Sequence, residues 1–151
     1  MKKKLLTLAC VTIFAASMSA QWLGQPTEVP AYNATPPKKG QKLPAIEASN
    51  AVNIMPGKYE PMQRHAYLLA ARIPRVIHQQ PCYCYCDRGH GHNSLHSCFE
   101  TEHGANCAAC LKELFYSYKM TKLKRTPAQI RQGIIAGEWK AIDLETAASI
   151  N

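Results

Sequence analysis

The stretch that decides the fold begins at Pro81-Cys82-Tyr83-Cys84-Tyr85-Cys86 and ends at Asn106-Cys107-Ala108-Ala109-Cys110. Of the seven cysteines in the chain, six lie within residues 81–110, together with four of the six histidines. Both residue types are uncommon, so this concentration indicates a metal site, a redox site or a disulfide framework. We therefore expect the rest of the folded chain to serve as the scaffold of this segment.

Residues 1–20 are typical of a secretory signal peptide. Three lysines form the basic start, and an apolar run from Leu5 to Ala16 follows. This run is shorter than the roughly twenty residues that a membrane span requires. We predict an exported protein, periplasmic or extracellular, that contacts a membrane only through this segment if it stays uncleaved. The remaining basic residues are scattered, which argues against nucleic-acid binding.

Residues 21–57 are rich in proline and polar residues and poor in large apolar ones. Such a composition buries too little surface to offset the entropy of ordering the chain. We therefore expect a flexible, Pro-rich tether over residues 21–57. A Cys/His-rich helical domain should follow over residues 58–145, with a frayed tail over residues 146–151.

The domain is predicted to belong to the mostly α class, with three helices. The first begins at Glu60-Pro61 and ends near Arg72, because a proline follows two residues later. The second begins at Cys107 after the N-cap Asn106 and carries an apolar stripe. The third begins after Thr126, which opens a capping-box pattern. An irregular Cys/His-rich loop is expected between the first and second helices.

The cysteines predict two thiol groups of different geometry. In an extended backbone, the three alternating thiols of residues 82–86 would share one face. Neighbouring Cα atoms would then be about 6.6 Å apart, at the edge of disulfide reach, so these thiols cannot simply bridge one another. Cys107 and Cys110 would share a face at a helix start, where the helix N-terminus depresses a thiol pKa. Cys98 is placed to join either group.

Three functions fit this pattern. Thiolate-rich sites bind Cu(I) or Zn(II), and six thiols exceed one tetrahedral set, so two sites or a thiolate-bridged cluster is implied. A thiol–disulfide redox protein would instead exchange electrons through its paired cysteines. An exported domain with an even number of cysteines can also carry three structural disulfides and no chemistry. The density of histidines favours the metal site.

The same residues resemble a known family. The strings Pro81 to Cys86, Gly91-His92, Cys98-Phe99, His103-Gly104 and Cys107-x-x-Cys110-Leu111 resemble the PCYCGC-motif family, also called the CYCXC family of exported bacterial (seleno)proteins. The resemblance covers roughly residues 58–137 and all six of these cysteines, with Tyr85 where many members have glycine. Selenocysteine in some members implies that at least one thiol position works as a nucleophile or soft ligand. The resemblance favours His92 and His103 over His90 and His96 as functional histidines.

We therefore predict an exported protein that binds a soft metal, Cu(I) or else Zn(II). Its role would be sequestration, or delivery to an extracytoplasmic metal-accepting or thiol-exchanging protein. Catalysis is not predicted; if the protein is an enzyme, we expect a thiol–disulfide oxidoreductase that uses Cys107 and Cys110 or the run Cys82, Cys84 and Cys86. The predicted metal ligands are Cys82, Cys84, Cys86, Cys98, Cys107, Cys110, His92 and His103.

Overall fold

The structure, a computed structural model, describes residues 28–51 and 60–151. Within these ranges the protein is mostly helical and has no strand, which confirms the mostly α class, although it has seven α-helices where three were predicted. Short 3-10 helices lie in the described ranges at Ala48–Ala51, Glu102–Asn106 and Glu138–Ala141. The α-helices are α1 (Glu60–Arg72), α2 (Pro74–Ile77), α3 (Cys86–Gly89), α4 (Leu95–Cys98), α5 (Ala108–Lys122), α6 (Pro127–Ile135) and α7 (Leu144–Ala147).

The three predicted helices correspond to α1, α5 and α6. Helix α1 ends before Ile73, since the following proline disfavours helical backbone at that residue. Helix α6 has the predicted capping box, in which Thr126 and Gln129 bond each other's backbone N–H groups. Helix α5 begins one residue later than predicted. Its N-cap is Cys107, whose backbone is extended, because Asn106 closes the preceding 3-10 turn.

Helix α5 lies at the centre of the fold and contacts α1, α2, α4, α6 and α7. Its Leu114 and Phe115 are 0 % exposed, and burial of each such side chain stabilises the fold by about 1.5–3 kcal/mol. Tyr67 of α1 and Phe99 after α4 are also fully buried, with ring centroids 5.0 Å apart. Several cysteines belong to the same apolar cluster. The scaffold therefore places the thiols in the protein core.

The described part of the predicted tether, residues 28–51, packs against the helices. Arg75 donates a hydrogen bond to the carbonyl of Pro37 at 3.0 Å, and Asn33 donates one to the carbonyl of His78 at 3.0 Å. The Ala31 N–H donates to the carboxylate of Asp87 at 2.9 Å. A proline-rich segment makes no internal ladder, so its polar groups are free to bond the domain. This segment is therefore docked, unlike the flexible tether that the composition predicted.

The predicted signal peptide at residues 1–20, and the tether residues 21–27 and 52–57, lie outside the described residues. No helix in the described ranges is both long and apolar enough to cross a membrane.

The C-terminal residues are also docked, although a frayed tail was expected from Thr146. Asp143 caps α7 by accepting the N–H of Glu145 at 3.0 Å. Ala147 is fully buried, and α7 contacts α5. Nε2 of His65 lies 2.7 Å from the carbonyl oxygen of Ile150. The cap and the small buried side chain allow this short helix to pack closely.

Gly104 lies where α4 and the 3-10 turn that follows it meet. A Cβ at this position would lie 2.8 Å from the carbonyl oxygen of Cys98 and 3.0 Å from the ring of Phe99. Relief of this clash requires movement of backbone, so Gly104→Ala is expected to lower the free energy of unfolding by about 1–3 kcal/mol. Denaturant unfolding measures this change. Gly89→Ala is the matched control, since a Cβ there meets nothing within 4 Å, and equal losses in both variants would contradict the argument.

Candidate metal centre

The alternating thiols lie on a turn, and the extended run predicted from the sequence is wrong. The N–H of Tyr85 donates to the carbonyl of Cys82 at 3.1 Å, and Cys86 then begins α3. Tyr85 has a left-handed backbone with φ 56°. Because the polar groups of this backbone bond locally, the chain reverses here. The turn brings the two predicted thiol groups together in one cluster.

Three sulfurs form what we call the sulfur triangle, made by Cys82, Cys84 and Cys110. The Sγ–Sγ distances are 3.3 Å from Cys82 to Cys84, 3.2 Å from Cys82 to Cys110 and 3.6 Å from Cys84 to Cys110. These exceed a disulfide bond of about 2.05 Å and are somewhat below the roughly 3.8 Å between sulfurs around a tetrahedral metal. The thiols are free. They are therefore arranged so that one ion can contact all three.

A second set of donors, which we call the mixed site, adjoins the sulfur triangle. The Sγ atoms of Cys86 and Cys98 are 3.3 Å apart. Nδ1 of His92 lies 3.1 Å from the first and 3.4 Å from the second. With His103 as the fourth member, all four ligand atoms lie within 4.8 Å of one another. The mixed site therefore combines two sulfurs with two imidazoles.

Cys107 occupies a position at the edge of the cluster. As the N-cap of α5, it accepts the backbone N–H of Cys110 on its Sγ at 3.4 Å. Among the described residues it belongs to none of the four-residue groups whose ligand atoms lie within 4.8 Å of one another. Its side chain is half-buried, whereas Cys110 is 0 % exposed. The structure therefore gives the two predicted helix-start cysteines different surroundings.

The other two histidines of the segment lie outside both donor sets. The exposed ring of His90 lies 4.7 Å from the ring of His103 and 5.7 Å from that of His92, between centroids. Nδ1 of the buried His96 is 2.8 Å from the carboxylate of Glu100.

A depression of about 1010 Å³ opens above the cluster. Its lining includes Cys84, Cys86, Cys107, His90, His92 and His103.

The two most acidic thiols are distributed one to each donor set. Hydrogen bonds from Cys110 and Cys82 lower the pKa of Cys98 to about 4. Hydrogen bonds from Cys107, Cys110 and Cys82 hold the pKa of Cys84 far below its usual range. Each of these sulfurs is therefore an acceptor for neighbouring thiols, which favours its thiolate form, the form that binds metals.

The prediction of an acidic thiol pair at the start of α5 is wrong. The hydrogen bond with Cys107 raises the pKa of Cys110, and burial adds to that effect. For Cys107, the bond with Cys110 lowers the pKa, but the bond with Cys84 and burial outweigh it and raise the pKa to about 11. Both thiols donate to more acidic sulfurs. Contacts within the cluster therefore override the helix N-terminus.

Glu113 of α5 is a part of this site that the sequence did not indicate. It is 0 % exposed, and burial raises the pKa of its carboxyl well above the usual range. Its Oε1 accepts the backbone N–H of Tyr83 at 2.9 Å. This bond fixes the turn between Cys82 and Cys84 to α5. The available signal was its spacing, since Glu113 lies three residues after Cys110 and so close to the same face.

The fold and the site define a small helical protein with a buried Cys/His cluster whose geometry is compatible with metal binding. A family model described as "Protein of unknown function with PCYCGC motif" matches residues 45–141, and the chain belongs to this family. The resemblance seen in the sequence is thereby confirmed. Searches of curated proteins and of solved structures each found no match.

The family motif has glycine where this chain has Tyr85. The left-handed backbone at this position, φ 56°, is natural for glycine and costs other residues about 1–2 kcal/mol. The Tyr85 ring offsets part of this strain, because it lies under the guanidinium of Arg88 at 4.6 Å and edge-on to Tyr83 at 5.8 Å.

We expect Tyr85→Gly to be more stable than Tyr85→Ala by about 1 kcal/mol, because both variants lose the ring but only glycine relieves the strain. Chemical denaturation of the two variants, compared with the native chain, measures the difference. An alanine variant as stable as the glycine variant would show that the backbone at residue 85 is not strained.

Proposed function

We propose that this protein is an exported Cu(I)-binding protein that sequesters the ion or delivers it to an extracytoplasmic partner. The observation that carries the proposal is the sulfur triangle, in which three thiols from two distant parts of the chain lie 3.2–3.6 Å apart. Holding unbonded sulfurs together in a core has no evident packing advantage over apolar side chains. Binding of one soft ion by the three sulfurs explains why they lie together.

The donor set favours Cu(I) over Zn(II) in the triangle. Structural zinc sites have four protein ligands, whereas the triangle consists of three soft sulfurs and, among the described residues, could reach four only by taking Cys98 or His103 from the neighbouring donors. Cu(I) is selected by thiolates, and its binding displaces the protons of the thiols that ligate it. Cys82 and Cys110 are buried, 3 % and 0 % exposed, which shields a bound ion from water and oxidants.

Delivery to a partner is supported by the position of Cys84. This sulfur belongs to the triangle but is half-buried and borders the depression above the cluster. A partner's thiolate can therefore reach an ion held there by exchanging ligands at Cys84 first. The signal-like residues 1–20 support a site of action outside the cytoplasm.

A thiol–disulfide redox function is the second candidate, and close thiol pairs favour it. The sulfurs of Cys82 and Cys110 are 3.2 Å apart, and those of Cys86 and Cys98 are 3.3 Å apart. Small movements would allow each pair to form a disulfide, with two electrons and two protons passing to an external disulfide.

Metal and thiol analysis of the protein, purified anaerobically from its native compartment, tests the proposal. We expect stoichiometric copper, six free thiols after the metal is removed, and release of copper on thiol alkylation. Three locked disulfides without metal would exclude metal binding. Zinc that Cu(I) cannot displace from the triangle would exclude the copper assignment. An oxidation state that follows the ambient thiol buffer would support the redox candidate instead.

A further inference from the structure

We propose that the mixed site, formed by Cys86, Cys98, His92 and His103, is a second metal centre that binds Zn(II) while the sulfur triangle holds Cu(I). This extends the proposed function by a second ion, and it rests on that function only for the identity of the ion in the triangle.

The donors of the mixed site match zinc in type and lie close to the spacing that zinc requires. Two thiolates and two imidazoles are one of the common tetrahedral zinc sets, with bonds that place donors roughly 3.3–3.8 Å apart. Three of the separations are 3.1, 3.3 and 3.4 Å, at or slightly below this range, and the ligand atom of the fourth member, His103, lies within 4.8 Å of the others. Imidazole is a harder donor than thiolate, which makes this site less selective for Cu(I) than the triangle.

Charge distinguishes the mixed site from an all-sulfur zinc site in the same cluster. The sulfurs of Cys82, Cys84, Cys86 and Cys98 also lie within 4.8 Å of one another, as do the ligand atoms of Cys84, Cys98, His103 and Cys110. Zinc on four thiolates would leave two uncompensated negative charges in the core, and zinc on three thiolates and one imidazole would leave one, where ions are costly to bury. Zinc on two thiolates and two neutral imidazoles carries no net charge. The mixed site is therefore the better place for a divalent ion.

The four ligands lie on four short segments, none of which contains a helix long enough to be stable by itself. Cys86 begins α3, His92 lies in the following loop, Cys98 ends α4, and His103 lies in the 3-10 turn Glu102–Asn106. Helical segments of one turn are not stable in isolation. An ion that joins these segments would fix the loop, because metal binding at such a site contributes directly to folding.

His90 provides a matched control. It is an exposed imidazole whose ring lies 4.7 Å from that of His103, yet it is outside the mixed site. Any general effect of removing an imidazole from this surface should appear equally in His90→Gln, whereas loss of a zinc ligand should appear only in His92→Gln and His103→Gln.

The test uses the full chain, loaded anaerobically with Cu(I) and then titrated with Zn(II). Wild type and His90→Gln should each retain about one zinc per chain, whereas His92→Gln and His103→Gln should bind zinc at least about 10-fold more weakly. Co(II) in place of zinc should give the absorption of a tetrahedral sulfur–nitrogen site. Zinc affinities that are equal in all three variants, or a Co(II) spectrum of four sulfurs, would overturn the proposal.

Two further variants keep the outcome clear. His92→Cys preserves a zinc ligand, so it should restore zinc binding even if His92→Gln folds poorly; a failure of this rescue would count against His92 as a ligand. Cys110→Ser should weaken Cu(I) binding and leave zinc binding intact. If the protein binds zinc with this dependence on His92 and His103 but does not bind Cu(I), only the proposed copper function is contradicted. If it binds Cu(I) but cannot bind zinc at the same time, only the second metal centre is contradicted.

Discussion

Replacement of Cys110 with serine is expected to lower the affinity for Cu(I) by at least about 100-fold. Even the loss of a residue that only hydrogen-bonds a metal ligand lowers metal affinity by about 10–100-fold. Cys110 is 0 % exposed, and its sulfur lies 3.2 Å from Cys82 and 3.6 Å from Cys84. Serine keeps the size of the side chain but replaces a soft sulfur with a hard hydroxyl. Competition with a Cu(I) chelator of known affinity measures the change.

Cys107→Ser is the control for this experiment. Cys107 is the N-cap of α5, and serine is among the best N-cap residues, so the helix should begin normally. Its sulfur lies outside the triangle, and we expect its loss to change Cu(I) affinity less than about 10-fold. This is smaller than the change in affinity that usually follows the loss of a residue hydrogen-bonded to a metal ligand. If Cys107→Ser weakened binding more than Cys110→Ser, the helix-start thiol would be the principal ligand and the triangle would be wrongly assigned.

Removal of bound metal is expected to lower the thermal unfolding midpoint by about 15 °C or more. An ion present at about 1,000 times its dissociation constant stabilises the folded state by about 4 kcal/mol, and each kcal/mol shifts the midpoint of a domain of this size by about 4–8 °C. The effect should be large because residues 82–106 contain only one-turn helices around the cluster. Differential scanning calorimetry of the loaded and the metal-free protein measures it.

Hydrogen exchange locates the same effect. Amides in residues 82–106 should lose most protection when metal is removed. Amides of α6 should change least, since Ile130 and Ile134 pack in a separate small core with Tyr116. Coincident midpoints for the loaded and the metal-free protein, or a uniform loss of protection, would contradict a metal-supported loop. The double variant Cys98→Ser, Cys110→Ser should show no gain in midpoint when metal is added.

Local signals predicted the three longest helices, α1, α5 and α6, but not the four one-turn helices of the described ranges. The proline after Ile73 ends α1, and the Thr126–Gln129 capping box begins α6. Each signal acts within about one helical turn, where the interacting groups are neighbours in sequence. The start of α5 was predicted one residue early because Asn106 and Cys107 are both plausible caps, and only the preceding 3-10 turn decides between them.

Features that depend on distant contacts were not predictable in the same way. The docking of residues 28–51 requires donors such as Arg75, which lies 38 residues from its partner Pro37. Glu113 looks like a surface residue from its chemistry, and only the turn at Tyr83, 30 residues away, explains its burial. The pKa of Cys110 is raised most by Cys107, three residues before it, and further by Cys84 and Cys98, which only the fold brings against it. These distant neighbours cannot be inferred from spacing along the chain.

The stretch from Pro81 to Cys110 thus contained the family and the set of sulfur and imidazole donors, and the proline and capping signals outside most of it contained the helical class, because composition and short-range spacing carry that information. The tertiary structure decided how those donors are grouped. The turn with left-handed Tyr85 and the docking of α4 on α5 divide them into a sulfur triangle and a mixed site. Grouping depends on which parts of the chain meet in space, and that is a property of packing in the whole core.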